Sequence, residues 1–422
     1  MMNSNNGRKS IHHLTSLAIL ILVEELFFNT GETPVHWDRE RLDWRQHVEL
    51  KLFENRFHVL YRMDYESFVH LYKLLLPYMN RDLKKSRSNH PISKMIIMAC
   101  GVRYLAGEKL RSLESDLQIS KSTSYEIREV FIDAVLNCPD LAINFPRTTA
   151  ELSYVANGFA AKASEEIFKG CIGAIDGFFA PTEKPSKSQC NGNQRSYYSG
   201  HYRLYGLNVQ AVVDSECKYL YFGVIGPGSM NDCRSYQKSG LKDIIDNLPS
   251  GFYLVGDAAY PLSDNLLIPF IGSQRSDKAK DAYNFYLSQL RIRVEMSFGR
   301  LVRKWAILQS KLCCNLKMNS DILVACARLH NFVIERNNVV MEPVSRISGM
   351  QPTGFEYLPT RIEDREDSDS FIASSAFQSS TARDIIVEYI DSQNFIRPRY
   401  NMVRNTGNVD LTDANVLYYT VV

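Results

Sequence analysis

The sequence predicts an α/β protein in which an all-α region precedes a mixed-sheet domain. Two observations carry this prediction. Across residues 64–136, apolar side chains recur every three or four positions, which is the period of a helix. From Gly170 onward, short runs rich in β-branched and aromatic residues alternate with turn residues and two further helical patterns. Strands interrupted by helices in this order are typical of a sheet covered by helices.

The composition is that of a folded protein without an overall charge bias. The 422 residues are 45% hydrophobic and carry a formal net charge of +2, so a nucleic-acid surface would require local segregation of charge. Nine Cys without a CxxC pair argue against a zinc ribbon or a secreted disulfide scaffold and favour a reducing compartment. The apolar run at 17–23 is too short to span a bilayer, so no membrane partner is expected.

Four segments are expected along the chain. Residues 1–60 form an extension with an apolar helix, and 61–140 form the helical region. The mixed-sheet domain occupies 165–338. Residues 339–422 form a polar tail, with an acidic linker at 361–370 and a short helix near the C-terminus.

Within the helical region, residues 110–135 have the pattern of a helix-turn-helix. A short helix ends near Leu117, "QIS" makes a tight turn, and Ser120 or Ser122 caps a second helix. The residues expected to face a DNA groove or its phosphates are Lys121, Thr123, Tyr125 and Arg128. An ordinary helical hairpin remains an alternative.

The mixed-sheet domain begins with three strand patterns, "CIGAIDGFFA", "YGLNVQAVVD" and "KYLYFGVIG". A short helix, "NDCRSYQKSGL", and a fourth strand, "FYLVG", follow. A long helix with a regular apolar stripe is expected over 282–307.

Four acidic residues stand at the ends of these elements. Asp176 is expected at the end of the first strand, Asp232 where the third strand gives way to a helix, and Asp257 at the end of the fourth strand. Glu295 lies on the long helix, one position off its apolar stripe. Strand ends can meet at one rim of a sheet, and a helix packed there adds a further acid. The sequence therefore predicts a cluster of carboxylates.

Such a cluster points to a divalent cation. Like charges raise each other's pKa, and a bound cation relieves the repulsion. Oxygen ligands without nearby His or Cys suit Mg²⁺ or Mn²⁺. Two such ions, about 3.5–4 Å apart, can activate water and stabilise the leaving oxygen of a phosphodiester. Each acid also has a structural interpretation that stays open: Asp176-Gly177 as a turn, Asp232 as a helix N-cap, Asp257 as a turn residue and Glu295 as a surface acid.

The surroundings of Glu295 favour the functional interpretation. Between residues 291 and 311 it is the only acid among six basic residues. A basic face around one carboxylate suits a phosphate backbone that passes an active site. The residues expected to contact DNA here are Arg291, Arg303 and Lys304.

Four blocks of the sequence resemble the PIF/Harbinger-type DDE transposases and their domesticated nuclease relatives. These blocks are "GAIDGFFAPTEKP", "YFGVIGPGSMNDCRSY", "YLVGDAAYPL" and "NFYLSQLRIRVEMSFGRLVRKWAIL". The resemblance covers about residues 60–336 and includes "ISKSTSYEI", which is similar to the family's helix-turn-helix. It implies an RNase H-like fold with Asp176, Asp257 and Glu295 as the catalytic triad and as ligands of Mg²⁺ or Mn²⁺. Asp232 corresponds to the family's additional acid, which is often treated as a further metal ligand.

The resemblance also implies an activity and partners. Metal-activated water would attack a phosphodiester of double-stranded DNA, and the freed 3′-hydroxyl would then be available for strand transfer. A nuclear protein with a Myb/SANT-like partner is expected, "LKKSR" at 83–87 being a candidate import signal. A homo-oligomer is left open.

Three positions depart from the family pattern. Gly-Thr-His after the first acid is replaced by Gly177-Phe178-Phe179, and the His before the second acid is Asn231. Gly-Asp-x-Gly-Tyr becomes "GDAAY" at 256–260. Two alternative functions follow: a catalytically impaired transposase that acts as a DNA-binding or scaffolding protein, and an RNA-cutting relative on the same fold.

Overall fold

The computed structural model describes residues 42–81, 92–163, 167–336 and 380–398. The apolar run at 17–23, the basic run at 83–87 and the acidic linker at 361–370 lie outside the described residues. No helix in the described part of the chain is long and apolar enough to cross a membrane.

Helices fill the N-terminal half, as the apolar period predicts. They are α1 (Trp44–Phe53), α2 (Phe57–Tyr61), α3 (Tyr65–Leu75), α4 (Lys94–Leu105), α5 (Leu110–Asp116), α6 (Lys121–Asn137) and α7 (Thr149–Ala160). Arg103 of α4 is buried and binds both Glu108, at 2.6 Å, and Asp116, at 2.5 Å, so it fixes α5 against α4. Residues 42–60, expected to be an extension, contribute buried side chains such as Trp44 to the same core.

A tight turn joins α5 to α6. Gln118 lies in the left-handed region, with a φ of 50°, and the Ile119 N–H bonds to the Glu114 carbonyl. The Ser120 hydroxyl accepts from the Thr123 N–H, so Ser120 is the N-cap of α6. The two helices and their turn therefore form where the sequence predicts them.

The C-terminal half is built on a six-stranded mixed sheet. The strands are β1 (Cys171–Pro181), β2 (Tyr198–Ser199), β3 (Leu204–Val213), β4 (Tyr219–Pro227), β5 (Tyr253–Val255) and β6 (Leu266–Leu267). β3 pairs antiparallel with β1 and β4, whereas β5 pairs parallel with β1 and with β6. The short β2 extends the edge of β3. The mixed sheet is confirmed.

Helices cover both faces of the sheet. They are α8 (Asp232–Lys238), α9 (Leu241–Asp246), α10 (Lys278–Lys304) and α11 (Leu316–Glu335), with α12 (Thr381–Ser392) near the C-terminus. Successive residues of β1 point to opposite faces. Phe178 stacks on Phe298 of α10, with ring centroids 5.1 Å apart, whereas Ile175 packs with Tyr236 of α8. One face thus meets α10 and α11, and the other meets α7, α8 and α9.

The helical region and the sheet share one core. The Arg328 guanidinium of α11 donates to the Leu136 carbonyl at the end of α6, at 2.7 Å. Phe131 of α6 belongs to the same buried cluster as Phe298 of α10. The short helix expected near the C-terminus is α12, where Arg383 lies over the Phe270 ring at 4.0 Å from its centroid. A substrate held by α5 and α6 would therefore be held by the same rigid body as the sheet.

Candidate active site

Asp176 and Asp257 each follow one member of a paired couple on neighbouring parallel strands. Ala174 of β1 pairs with Val255, the last residue of β5; Asp176 lies two residues later within β1, and Asp257 lies two residues beyond the end of β5. Alternation along β1 puts the Asp176 side chain on the face of Ala174, and the charge of Asp257 acts on it. Asp176 lies in the middle of β1, not at its end, because β1 continues to Pro181 alongside β3. The turn interpretation of Asp176 is therefore wrong.

The electrostatics of this pair reflect burial and proximity. Burial raises the pKa of Asp176 well above its usual value, and the neighbouring charge of Asp257 raises it further. The Arg291 guanidinium acts in the opposite direction. Each carboxylate also accepts a backbone hydrogen bond: Asp176 from the Gly177 N–H, at 2.8 Å, and Asp257 from the Ala259 N–H, at 2.9 Å.

Arg291 links the third acid, Glu295, to Asp176 and Asp257. Both lie on α10, one turn apart, and Arg291 Nη2 donates to Glu295 Oε1 at 2.7 Å. Burial lowers the pKa of Arg291, but the charges of Asp176, Glu295 and Asp257 outweigh this and raise it. The Glu295 side chain is 43% exposed. Arg291 is therefore the counter-ion of three acids from two strands and one helix.

Asp232 approaches β1 from the opposite face. It is the first residue of α8, and Asn231, not Asp232, is the N-cap, accepting from the Arg234 N–H. A Cβ added to Gly177 would lie 2.0 Å from Asp232 Oδ1, so the carboxylate sits directly over the glycine. Because residues 176 and 177 point to opposite faces, the Asp232 and Asp176 side chains approach β1 from its two sides.

A buried polar chain holds Asp232 in this position. Gln210 of β3 donates from Nε2 to Asp232 Oδ1, at 3.3 Å. The Tyr260 hydroxyl donates to Gln210 Oε1, at 2.6 Å. Burial, and next the charge of Asp232, raise the pKa of Tyr260 well above its usual value, so the hydroxyl stays protonated as the donor. Sequence reasoning missed Gln210 and Tyr260, because a polar residue inside a strand pattern gives no sign of its partner.

Asp176, Asp257 and Glu295 act on Arg291, and Asp232 lies on the α8 face. The charge of Asp232 nevertheless contributes to the raised pKa of Asp176, so the four acids remain close enough to affect one another. Across the residues that the structure describes, no three His, Cys, Asp or Glu side chains are arranged so that they could hold a metal ion together.

The predicted DNA contacts on α6 differ in exposure. Lys121 is exposed, Tyr125 is 43% exposed, and Thr123 is half-buried with its hydroxyl bonded to Ser120 Oγ. Arg128 is only 5% exposed and points toward the Cys314 sulfur, at 3.7 Å. The prediction that Arg128 faces a groove is wrong, because its guanidinium lies inside, 5.5 Å from the Tyr104 ring centroid.

The remaining predicted contacts lie on α10. Arg303 is exposed and Lys304 is half-buried in the last helical turn, where positive charge stabilises the helix dipole. Arg291 is turned toward the acids. A second basic stretch, at 184–203, was missed, although its alternation of Arg, Lys and Tyr is visible in the sequence.

Comparison with known proteins shows which proteins this chain is similar to. Residues 175–331 match a family model described as DDE superfamily endonuclease, a class of nucleases with an RNase H-like domain. A Rattus norvegicus protein named "Putative nuclease HARBI1" is 24% identical over 300 residues, covering 70% of this chain and 82% of that protein. "Protein ALP1-like" of Arabidopsis thaliana is 22% identical over 326 residues, covering 72% and 78%.

The human protein of the same name as the rat one is 22% identical over 302 residues, covering 71% of this chain and 83% of that protein. No solved structure matches the chain significantly. These similarities support the Harbinger-type DDE family and a nuclease- or transposase-like function.

Proposed function

We propose that the protein is a divalent-metal-dependent DNA endonuclease or transposase that uses Asp176, Asp257 and Glu295. The observation that supports this proposal most is the parallel pairing of Ala174 with Val255, each two residues before one of the acids, together with the Arg291 guanidinium on which both acids act. A carboxylate whose pKa is raised by burial and by a neighbouring acid is costly for folding alone, and groups of this kind are enriched at functional sites.

The residues fit a hard divalent cation. Carboxylate oxygens are the ligands that Mg²⁺ and Mn²⁺ prefer, and Mg²⁺ is often held by one or two carboxylates together with substrate phosphates. Asp176 and Asp257 would be these two protein ligands. Glu295 would join them by exchanging its bond to Arg291, and its partial exposure leaves room for that movement. When bound, the cation would stabilise charge on the scissile phosphate and make a water more acidic.

The other residues have supporting roles in this proposal. Arg291 would neutralise the acids before the cation arrives. Asp232, held by Gln210 on the other face, would fix the loop beside β1 rather than share the ligand set with Asp176. Lys121, Thr123 and Tyr125, at the start of α6, would hold double-stranded DNA in a helix-turn-helix manner, with Arg303 and Lys304 as further phosphate contacts.

The family expectations complete the proposal. Strand transfer by the freed 3′-hydroxyl, a Myb/SANT-like partner, self-association and a nuclear location are included on the strength of family resemblance alone. The names of the relatives support only the nuclease part.

The proposal is tested by metal binding and DNA cleavage on the purified full chain. Calorimetry with Mg²⁺ and Mn²⁺ should detect binding that Asp257→Asn and Glu295→Gln each weaken by roughly tenfold or more, since losing even an outer-shell partner of a metal site costs 10–100-fold. Nicking of plasmid DNA should require the metal and be lost in both variants. Glu216→Gln is the matched control, because Glu216 is exposed and paired with Lys162 in the turn that follows β3.

A DNA-binding protein without catalytic activity is the second candidate. Phe178 packs against Phe298, and Phe179 stacks on Tyr202, so neither position offers a polar group to a substrate. If the wild type binds DNA but binds no metal and cuts no DNA at any metal concentration, this second function replaces the first.

A further inference from the structure

A basic segment leaves β1 and returns to β3 beside the candidate site. Residues 182–205 contain one acid, Glu183, and four permanent cations, Lys184, Lys187, Arg195 and Arg203. All four cations are exposed, and none forms an ion pair with a carboxylate among the described residues. Unpaired cations concentrated in one segment attract a polyanion.

The segment is compact, so these cations share one surface. Gln194 Nε2 donates to the Pro185 carbonyl, at 2.5 Å, which joins its two halves. The Lys184 ammonium lies 5.8 Å from the Tyr205 ring centroid, and the Tyr198 ring contacts Tyr205 at 5.3 Å. β2 and the start of β3 hold these residues as a small hairpin.

An aromatic platform stands within this surface. Tyr202 stacks on Phe179 of β1, with centroids 4.5 Å apart and ring planes 11° apart. Tyr202 remains 49% exposed and Tyr198 39% exposed. Phe179 anchors the stack because it belongs to a central strand. This residue is one of the departures from the family pattern, so the platform is built on a feature of this chain.

The platform adjoins Asp232. Phe179 lies two positions after Gly177 on β1, so its side chain is on the same face as the Asp232 carboxylate and opposite to Asp176. The Ser229 N–H donates to the Ser196 carbonyl, at 3.0 Å, so the segment is bonded to the loop that leads to Asp232. A nucleic-acid strand that passes Asp232 could therefore continue over Tyr202 and the four cations.

We propose that this surface binds a single-stranded or unpaired stretch of DNA next to Asp232, on the face of the sheet opposite to Asp176. An exposed base would stack on Tyr202, and the cations, Arg195 and Arg203 foremost, would contact the flanking phosphates. Aromatic rings among cations bind single strands in this way, because every base has a flat face and every linkage a charge. The inference rests on the proposed function only in taking DNA as the substrate; it needs neither metal nor cleavage.

The test measures binding of a short fluorescein-labelled single strand to the full chain by anisotropy, in EDTA so that no cleavage occurs. Tyr202→Ala should weaken binding roughly 5- to 150-fold, the fold-change equivalent to 1–3 kcal/mol per stacked base. Tyr202→Phe keeps the ring and should bind like the wild type. Tyr154→Ala, which removes an 82% exposed tyrosine from α7, is the control for general loss of aromatic surface.

The salt dependence separates phosphate contacts from stacking. Arg195→Gln and Arg203→Gln should each lower the slope of log affinity against log salt by about 0.7, the value for one phosphate contact on a single strand. Lys162→Gln, at the far end of the sheet, should leave the slope unchanged.

Two results would overturn the proposal. The first is that Tyr202→Ala binds the single strand as tightly as the wild type. The second is that it weakens duplex and single strand equally, because paired bases cannot stack on a side chain. A protein that binds no metal and cuts no DNA, yet behaves as predicted in EDTA, would refute the proposed nuclease activity and leave this surface intact.

Discussion

The position of Asp232 over Gly177 gives a sharp prediction. In Gly177→Ala, the new methyl group would lie 2.0 Å from Asp232 Oδ1 and 3.2 Å from Gln210 Nε2. An ordinary contact is about 3.4 Å, so the carboxylate has to retreat by about 1.4 Å. That movement strains or breaks the 3.3 Å bond from Gln210. Overpacking of this kind costs about 1–3 kcal/mol.

The assay is thermal unfolding followed by circular dichroism. A loss of 1–3 kcal/mol should lower Tm by roughly 2–12 °C for a domain of this size. Gly240→Ala is the control, since a Cβ at Gly240 meets nothing within 4 Å and the residue has an ordinary φ of −61°. Both variants remove the same chain freedom from the unfolded state. If Gly177→Ala melts at or above Gly240→Ala, Asp232 does not sit over β1 and the two-sided arrangement of the acids is refuted.

Four further predictions concern charge and packing. Arg291→Gln should strengthen Mg²⁺ binding in calorimetry, roughly tenfold for each 1.4 kcal/mol of competing charge removed, and unchanged affinity would contradict its role as counter-ion. Asp176→Asn should raise Tm without metal at pH 7 and abolish any Tm increase caused by Mg²⁺, because it replaces a buried charge whose pKa is raised. Burial lowers the pKa of His330 from 6.5 to about 4, so stability present above pH 6.5 should fall by about 3 kcal/mol as the pH drops toward 4, and His330→Gln should flatten this loss in denaturant titrations. Gly101→Ala, whose Cβ would lie 2.1 Å from the Phe131 ring, should lower Tm more than Gly240→Ala does, and an equal Tm would mean that α4 and α6 are less closely packed than described.

The sequence predicts the elements well because each depends on local information. The periodicity locates α10, although the helix begins at Lys278, where Asp277 caps it, rather than at residue 282. The strand patterns locate β1, β3, β4 and β5. The short β6 is missed, since Leu266 and Leu267 form a strand only because Leu254 and Val255 lie beside them. Two residues contain too little pattern to indicate a strand on their own.

The site is harder to predict, because the register of paired strands and the face to which each side chain points depend on residues that are distant in the sequence. The acids can be picked out by their positions near element ends, yet the sequence places Asp176 at a strand end, whereas it lies within β1. The pairing of Ala174 with Val255 and the position of Asp232 over Gly177 depend on residues far apart in the sequence. Arg128 fails for the same reason: it follows the exposed Lys121 and Tyr125 on one helix, but α4 and the Cys314 segment cover its side.

The energetics of Asp176 bear on whether the chain acts as a nuclease or only binds DNA. The pKa of Asp176 is higher in the folded state than in the unfolded state, so the protonated carboxyl stabilises the fold at a pH below the unfolded value of 3.8. This stability is lost progressively as the pH rises, and an ionised Asp176 at neutral pH therefore destabilises the folded state. A protein needing only shape at this position would be more stable with Asn, which fits the same space without the charge. Arg291 offsets part of the cost, but it is shared with Glu295 and Asp257. Phe178, by contrast, stands where the family pattern has Thr. It adds a buried apolar contact with Phe298 and removes a hydroxyl that folding does not need. Packing thus explains the departures at 178 and 179, whereas it gives no reason for an acid at 176, which is the position where the proposed cation would need one.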